Sequence, residues 1–346
     1  MKAGATEGVD VLLEAKVQAQ ERTIRILRKN LEYAHEEQLS VDRVKELLEV
    51  VREYNPNPPA WVLAPWKTTK RNPCIANLLV GDIHYDEVVN PLEIGGLNEY
   101  NTRISERRMR QLADTTIHLC RRHIGASVQG IVVTVLGDVL SGCIHDELDR
   151  TNEFVLPVAI MKCTDMMTAF INMIADEFER VQVGWIVGNH GRQREKVTHK
   201  RAAYENWEWL IGKLVERDVL KRHPKIDFKV SDSLEDDYQI YNKRFHFMHG
   251  NQMRGGSGIA GAVTPWMIGD FRRRKRARAM GQDYDYLVFG HWHARKDLGS
   301  IWANGSVKGF DEFAFDGGFT FETPQQQLNV FSPNGRLVYP LPIYLD

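Results

Sequence analysis

Five short apolar stretches of the sequence each end in a glycine-flanked cluster of Asp, Asn and His residues. The clusters are Gly81-Asp82-Ile83-His84, Gly137-Asp138, Gly188-Asn189-His190, His249-Gly250-Asn251 and Gly290-His291-Trp292-His293. Carboxylates, imidazoles and an amide, with no thiolate among them, are donors that bind manganese, iron, zinc or magnesium. Glycine beside each cluster lets the backbone turn tightly and approach a ligand closely. The pattern therefore predicts a divalent-metal site.

Apolar strands that alternate with helices must position these clusters. The patterns predict strands over 74–80, 131–136, 181–187, 244–249 and 286–289, and helices over 105–123, 155–180 and 202–218. Such alternation indicates an α/β or αββα layering, in which the carboxyl ends of strands converge. Along an extended chain, residues two apart point to the same side, so Asp82 and His84 are expected to form a ligand pair. The same expectation holds for His291 and His293.

The first 70 residues differ from the rest. From Leu13 to Ala34, apolar residues recur at spacings that alternate between four and three residues, and Gln20 occupies one position of the series. This spacing is a heptad pattern. The proline-dense stretch 55–59 cannot continue a helix. We therefore place an N-terminal helical extension with a proline-rich linker at 1–70 and the catalytic domain at 71–346. The heptad stripe is either a coiled coil, which would form a homodimer, or a helix laid on the body of the protein.

The composition excludes several classes of protein. Lys and Arg number 45 and Asp and Glu 46, for a net charge of −1, so a wholly basic nucleic-acid binder is excluded and any such surface is a local patch. The apolar runs are far short of the roughly 20 residues that cross a bilayer, and no secretory signal is visible. Four scattered cysteines without a C-x-x-C pair favour a reducing compartment. We expect a cytoplasmic protein without a membrane partner.

The five ordered motifs resemble those of the calcineurin-like metallophosphoesterase superfamily. The resemblance covers roughly residues 74–310 and includes D-x-H, G-D, G-N-H, H-G and G-H-x-H. It implies a four-layer αββα sandwich with the N-terminal extension, and two divalent cations, Mn²⁺ foremost and Mg²⁺, Fe or Zn²⁺ as alternatives. By this resemblance, one ion is held by Asp82, His84, Asp138 and His293, and the other by Asp138, Asn189, His249 and His291.

The resemblance also implies a reaction. Two cations clamp a phosphate and lower the pKa of a shared water, and the resulting hydroxide attacks phosphorus in line. His190 has no metal assigned to it, so it is the candidate to bind the phosphate and to protonate or stabilise the leaving oxygen. Relatives place Glu or Asp after G-N-H, whereas Gly191 stands here, so the group that orients His190 is left open. His145 is either a substituted acid or a histidine on a surface helix.

Basic residues between the motifs bear on the substrate. Arg192 follows His190, and Arg272, Arg273 and Arg274 begin a basic run between the fourth and fifth motifs. These residues either bind a polyanionic backbone or form a solvated helix face. We predict a nuclease that hydrolyses DNA phosphodiesters, resembling the phage and bacterial repair-exonuclease branch. The alternatives are a phosphatase or phosphodiesterase for a small molecule or phosphoprotein, and an inactive scaffold.

Overall fold

The computed structural model describes residues 59–63, 73–124, 127–253 and 263–346. The helices in these ranges are α1 Ala60–Leu63, α2 Thr102–His118 (continued by a π-helical turn, Leu119–His123), α3 Asp146–Thr151, α4 Leu156–Glu177, α5 Trp207–Arg222, α6 Val263–Ala279 and α7 Glu312–Asp316. The strands are β1 Pro73–Val80, β2 Ser127–Val135, β3 Val181–Trp185, β4 Asp227–Val230, β5 Glu235–Ile240, β6 Lys243–Met248, β7 Tyr286–Phe289, β8 Lys296–Asp297, β9 Ile301–Ala303, β10 Gln325–Phe331 and β11 Leu337–Tyr344. The heptad stripe lies outside the described residues, so the coiled coil and the homodimer stay predictions.

The larger sheet has six strands in the order β11-β10-β1-β2-β3-β4. Strands β1 to β4 are parallel, and β10 and β11 add to them in antiparallel fashion. β1 is buried from Cys74 to Val80, as expected of a strand covered on both faces. Pro340 and Pro342 limit the last predicted strand to a sheet edge, because proline cannot donate to a ladder. β11, which carries both prolines, is indeed an edge strand.

The second sheet has five strands in the order β5-β6-β7-β9-β8 and packs on the first. Aromatic rings fill the space between the sheets: Phe245 stacks on Tyr238 at 4.8 Å and lies 5.3 Å from Phe331 of β10. The Tyr238 hydroxyl donates to Asn77 Oδ1 at 2.9 Å. The amide buried on β1 is thus hydrogen-bonded across the interface, as a buried polar group must be.

Helices cover the outer face of each sheet. Leu112 of α2, Phe170 of α4 and Val215 of α5 belong to one core with the larger sheet. On the second sheet, the Trp266 ring of α6 lies 5.3 Å from that of Phe289. The order helix, sheet, sheet, helix confirms the predicted αββα sandwich. By length and composition alone α4 could span a membrane, but half of its apolar window is buried, as in a core helix.

The ends of the elements place the predicted clusters. β1, β2 and β3 in one sheet and β6 and β7 in the other each end just before one of the five motifs. The helix predicted from residue 202 begins instead at Trp207, because the Asn206 side chain accepts a hydrogen bond from Glu208 N and caps α5. The polar clusters are therefore in loops, as the sequence predicts.

Candidate metal centre

Side chains from five loops converge at the carboxyl ends of these strands. Among the described residues, three sets of donor atoms lie within 4.8 Å of one another and could hold a metal ion. They are Asp82, His84 and His293; Asp138, His249 and His291; and His84, Asp138 and His190. We call Asp82, His84 and His293 the first ligand group, and Asp138, Asn189, His249 and His291 the second ligand group. The third set joins the two groups through His84 and Asp138.

Asp138 is at the centre of the second ligand group. Its Oδ2 lies 2.9 Å from His249 Nε2 and 3.9 Å from His84 Nε2. Asn189 Oδ1 lies 3.1 Å from the same His249 nitrogen. The rings of His249 and His291 are 5.0 Å apart between centroids. One carboxylate therefore faces both ligand groups.

The first ligand group is equally compact. His293 Nε2 lies 3.0 Å from His84 Nε2 and 3.6 Å from Asp82 Oδ1. Asp82 and His84 are buried, whereas His293 is half-buried. All seven predicted ligands are thus brought together, and their coordination of metal stays a prediction.

The backbone at the predicted ligand pairs is not extended. The φ angle is 52° at Asp82, 50° at His84, 68° at His291 and 52° at His293, and Asp138 has 49°. Asp82 and His84 do share the first ligand group, whereas His291 and His293 belong to different groups, and the expected reason for pairing, alternation along an extended strand, is wrong. Each left-handed non-glycine residue costs about 1–3 kcal/mol, a cost typical of functional sites. The turns after the strands, rather than the strands themselves, therefore set the direction of the ligand side chains.

Hydrogen bonds between the loops hold these turns in place. His84 N donates to Asp138 O at 2.9 Å, and His291 N donates to Asp82 Oδ1 at 2.8 Å. The loops after β1, β2 and β7 are therefore tied to one another. Gly188 is required here because a Cβ at this position would overlap the Asp138 carboxylate.

Main-chain carbonyls orient two of the histidines. His249 Nδ1 lies 2.8 Å from Leu136 O, and His190 Nδ1 lies 3.0 Å from Ser141 O. Because a carbonyl only accepts, each Nδ1 donates, and in the neutral ring Nε2 keeps the lone pair. The sequence has Gly191 instead of an acid after G-N-H, and the Ser141 carbonyl is the group that orients His190.

His84 is oriented by a buried ion network that the sequence analysis missed. His84 Nδ1 lies 3.2 Å from Glu87 Oε2, and Lys308 Nζ donates to Glu87 Oε1 at 2.7 Å. Lys308 also pairs with Asp311. Burial opposes the charge on Glu87, but Lys308 outweighs burial and holds the pKa of Glu87 well below its usual range. An ionised carboxylate behind an imidazole fixes the ring and raises its basicity as a ligand.

Glu208 is a second buried acid outside the predicted set. Its Oε2 accepts hydrogen bonds from Gly188 N at 2.7 Å and from Asp138 N at 3.0 Å, so it joins the loops after β2 and β3. Burial, together with the Asp138 charge, raises the pKa of Glu208 to about 8. In the sequence Glu208 looks like an ordinary acid of a first helical turn, a position that favours acids for their effect on the helix dipole.

The protonation preferences within the cluster differ between residues. Burial lowers the pKa of His190 to about 4 and, with the neighbouring His249 charge, that of His291 to about 3. Burial also opposes the charge on His249, but Asp138 outweighs it and raises the pKa of His249 to about 9. His190 and His291 are therefore neutral near pH 7, while His249 shares a proton with Asp138.

The donor set fits a divalent cation. His84 Nδ1 faces a carboxylate, so the neutral ring carries its proton there and directs the Nε2 lone pair toward His293 and Asp138. Burial lowers the pKa of His293 well below its usual value, so the His293 ring is neutral near pH 7. Neutral imidazoles and buried carboxylates are the ligands that borderline divalent ions prefer. The cluster is a candidate divalent-metal centre.

Two predicted substrate-binding residues lie beside this centre. The His145 side chain is exposed, and its ring centroid lies 5.6 Å from that of His190. Arg192 is half-buried and lines a cavity that also includes Asn189. Both residues are placed where a phosphoester at the ligand groups would be within reach, and their roles stay predictions.

The arginine run on α6 is placed differently. Arg273 Nε donates to Glu235 at 2.9 Å, and Arg274 Nε donates to Asp270 at 2.8 Å. Both guanidinium groups therefore have acidic partners, and their contact with substrate stays a prediction. Arg272 is exposed on the same helix, and its role stays a prediction. A run of charges in a sequence does not reveal partners that other segments supply.

Comparison with known proteins finds distant structural similarities and no sequence match. No protein-family model and no curated protein matches the sequence. The chain resembles a dimetal phosphatase from Danio rerio at 12% identity and a TM-score of 0.38, over 79% of this chain and 99% of that one. It resembles Vacuolar Protein Sorting 29 from Cryptosporidium parvum at 13% identity and a TM-score of 0.32, over 78% of this chain and 98% of that one. It also resembles a predicted phosphoesterase from Streptococcus pneumoniae at 8% identity and a TM-score of 0.30, over 78% of this chain and 98% of that one. At these values the likeness assigns no activity, so the side-chain geometry must support any functional proposal.

Proposed function

We propose that the protein is a phosphoesterase that depends on two divalent cations. The observation that carries this proposal is the position of Asp138, whose Oδ2 faces His249 at 2.9 Å and His84 at 3.9 Å. A carboxylate shared in this way is suited to joining two ions. The first ligand group with Asp138 would hold one ion, and the second ligand group would hold the other. We propose Mn²⁺, because the mixed oxygen and imidazole donors suit it.

When bound, the two cations would polarise a phosphate and lower the pKa of a water between them. The protein's own part is to hold the donors rigidly and to handle the leaving group. His190 is suited to handling the leaving group, because its Nδ1 is held by Ser141 O and its ring lies 4.5 Å from that of His84. With Nδ1 held, Nε2 is the atom left to contact the phosphate or leaving oxygen, once it has taken up a proton, which the negative charge of a bound phosphate would favour.

We further propose that the substrate is a nucleic acid, with DNA favoured. The support is local charge in a chain of near-neutral total charge: Arg192, Arg194 and Lys196 follow His190 and line the cavity beside Asn189. A polyanion needs such a patch, whereas a small monoester does not. Binding should therefore weaken steeply as salt is added.

A substrate panel tests the proposed function. The full-length protein is incubated with Mn²⁺ or Mg²⁺ and with single-stranded DNA, duplex DNA, RNA and bis(4-nitrophenyl) phosphate. Metal-dependent cleavage of a DNA substrate supports the nuclease. Cleavage of the aryl ester alone would support a phosphoesterase and contradict the proposed nuclease activity. No cleavage of any substrate with either metal would contradict the phosphoesterase itself.

A further inference from the structure

A cavity opens directly beside the second ligand group. Its wall includes Asn189 and, from the loop that follows, Arg192, Arg194 and Lys196; among the described residues that line it, Glu205 is the one acid. The charge of the lining is therefore positive. On one side the cavity borders a predicted metal ligand, so a molecule bound at the metal centre could extend into it.

The basic side chains on this wall lack the acidic partners that the α6 arginines have. Arg194 and Lys196 are exposed, and within the described ranges neither has an ion pair or hydrogen-bonding partner for its charged group. Arg192 Nη2 donates to the Glu195 carbonyl at 3.3 Å, but its Nε is buried and has no hydrogen-bond partner. A buried donor left without an acceptor costs free energy, which a bound anion would recover.

The loop that presents these residues is fixed at its base. The Asn206 amide donates to Gly188 O at 2.8 Å, and Trp207 N donates to Gly191 O at 2.7 Å. Arg192 and Asn206 also form an isolated β-bridge. The start of α5 thus joins the two ends of the segment, and the backbone that carries the cationic residues is anchored next to Asn189.

We propose that this cavity is a second phosphate subsite, which binds the phosphate neighbouring the one at the metal centre. The inference rests on the proposed phosphoesterase activity and sharpens its substrate class to phosphodiesters that carry an adjacent phosphate. Arginine forms forked hydrogen bonds with phosphate oxygens, and lysine adds a point charge.

The test uses chromogenic substrates whose scissile bond is defined by the leaving nitrophenolate. Thymidine 5′-(4-nitrophenyl phosphate) is compared with the same ester carrying a 3′-phosphate. Thymidine 3′-(4-nitrophenyl phosphate) is compared with its 5′-phosphorylated form, so both polarities are covered. In the Mn²⁺-loaded wild-type protein, we expect the added phosphate to lower KM roughly five- to tenfold in one polarity, as two or three partly exposed charge pairs would.

The variant Arg194→Gln/Lys196→Gln should lose this advantage, because it removes two exposed charges at the cavity. The matched control Arg107→Gln/Arg110→Gln removes two exposed charges from α2 and should keep the advantage. Equal thermal unfolding midpoints would show that both variants are folded.

The subsite is overturned if the added phosphate gives no advantage in either polarity, or if the advantage survives Arg194→Gln/Lys196→Gln. In both cases hydrolysis of the singly phosphorylated esters would leave the proposed function standing. Failure of the wild-type protein to release nitrophenolate from any of the four esters would overturn both proposals together.

Discussion

Each of the two ligand groups of the candidate metal centre contains one carboxylate and two imidazoles, but their supports differ. In the first ligand group, the second nitrogen of His84 faces Glu87, which belongs to an ion network with Lys308. In the second ligand group, the corresponding nitrogen of His249 faces the carbonyl of Leu136. A side-chain support can be removed by substitution, whereas a main-chain carbonyl persists whatever residue carries it. The two halves should therefore respond differently to mutation.

Asp138→Asn should have the largest effect, because Asp138 faces both ligand groups. We expect activity to fall by well over the roughly 100-fold that loss of an outer partner causes. The measurement is metal-dependent phosphodiester hydrolysis together with bound metal per chain. Asp165→Asn, at an exposed position on α4, is the matched control. Unchanged metal content in Asp138→Asn would show that this carboxylate does not join the two ligand groups.

His190→Ala should have the next largest effect and should separate proton transfer from metal assembly. We expect kcat to fall about 10²- to 10⁴-fold, the range for loss of a general acid, with both metals still bound. His118→Ala, an exposed histidine on α2, is the control. A normal rate in His190→Ala would remove the role assigned to this residue.

Glu87→Gln should weaken the first ligand group without affecting the second ligand group. Removing the charge behind His84 should weaken metal binding at the first ligand group by about 10- to 100-fold. Glu87 does not contribute to the support of the second ligand group, so that group should bind metal normally. Calorimetric titration with Mn²⁺ should thus show one weakened and one unchanged site, with Glu177→Gln as an exposed control. Equal weakening of both sites would refute the distinction between the supports.

Ser141→Ala should have the smallest effect and tests the main-chain support. The Ser141 hydroxyl donates to Asn152 at 2.8 Å, so its loss should lower stability by about 1 kcal/mol. The Ser141 carbonyl that holds His190 remains, so kcat should change less than about twofold. Thermal unfolding and steady-state kinetics measure the two effects. A loss of kcat comparable to that of His190→Ala would mean that the hydroxyl, not the carbonyl, matters.

The candidate ligands were predictable from the sequence because each follows an apolar strand, and the carboxyl ends of such strands converge in this kind of sandwich. The left-handed turns at Asp82 and His84 were not predictable, since they depend on hydrogen bonds to the loop after β2. Lys308 lies 221 residues from its partner Glu87, and local patterns carry no signal over that distance. Glu208 was missed for a similar reason: only the folded chain brings it against Gly188.

The basic residues show how tertiary contacts distinguish residues that look alike in the sequence. In the sequence Arg192 and Arg273 look equally suited to contact substrate, but Arg273 pairs with Glu235, whereas Arg192 lines the cavity beside Asn189. Charge patterning along a chain identifies where cations are concentrated, and the tertiary structure decides which of them have partners. The extension at 1–70 and the proposed homodimer stay predictions.

The central claim is that a pair of ions shares one carboxylate, and anomalous diffraction from crystals soaked in Mn²⁺ tests it most directly. Two anomalous peaks per chain are expected, one within each ligand group, with the Asp138 carboxylate touching both. A single peak, or peaks away from Asp138, would contradict the account.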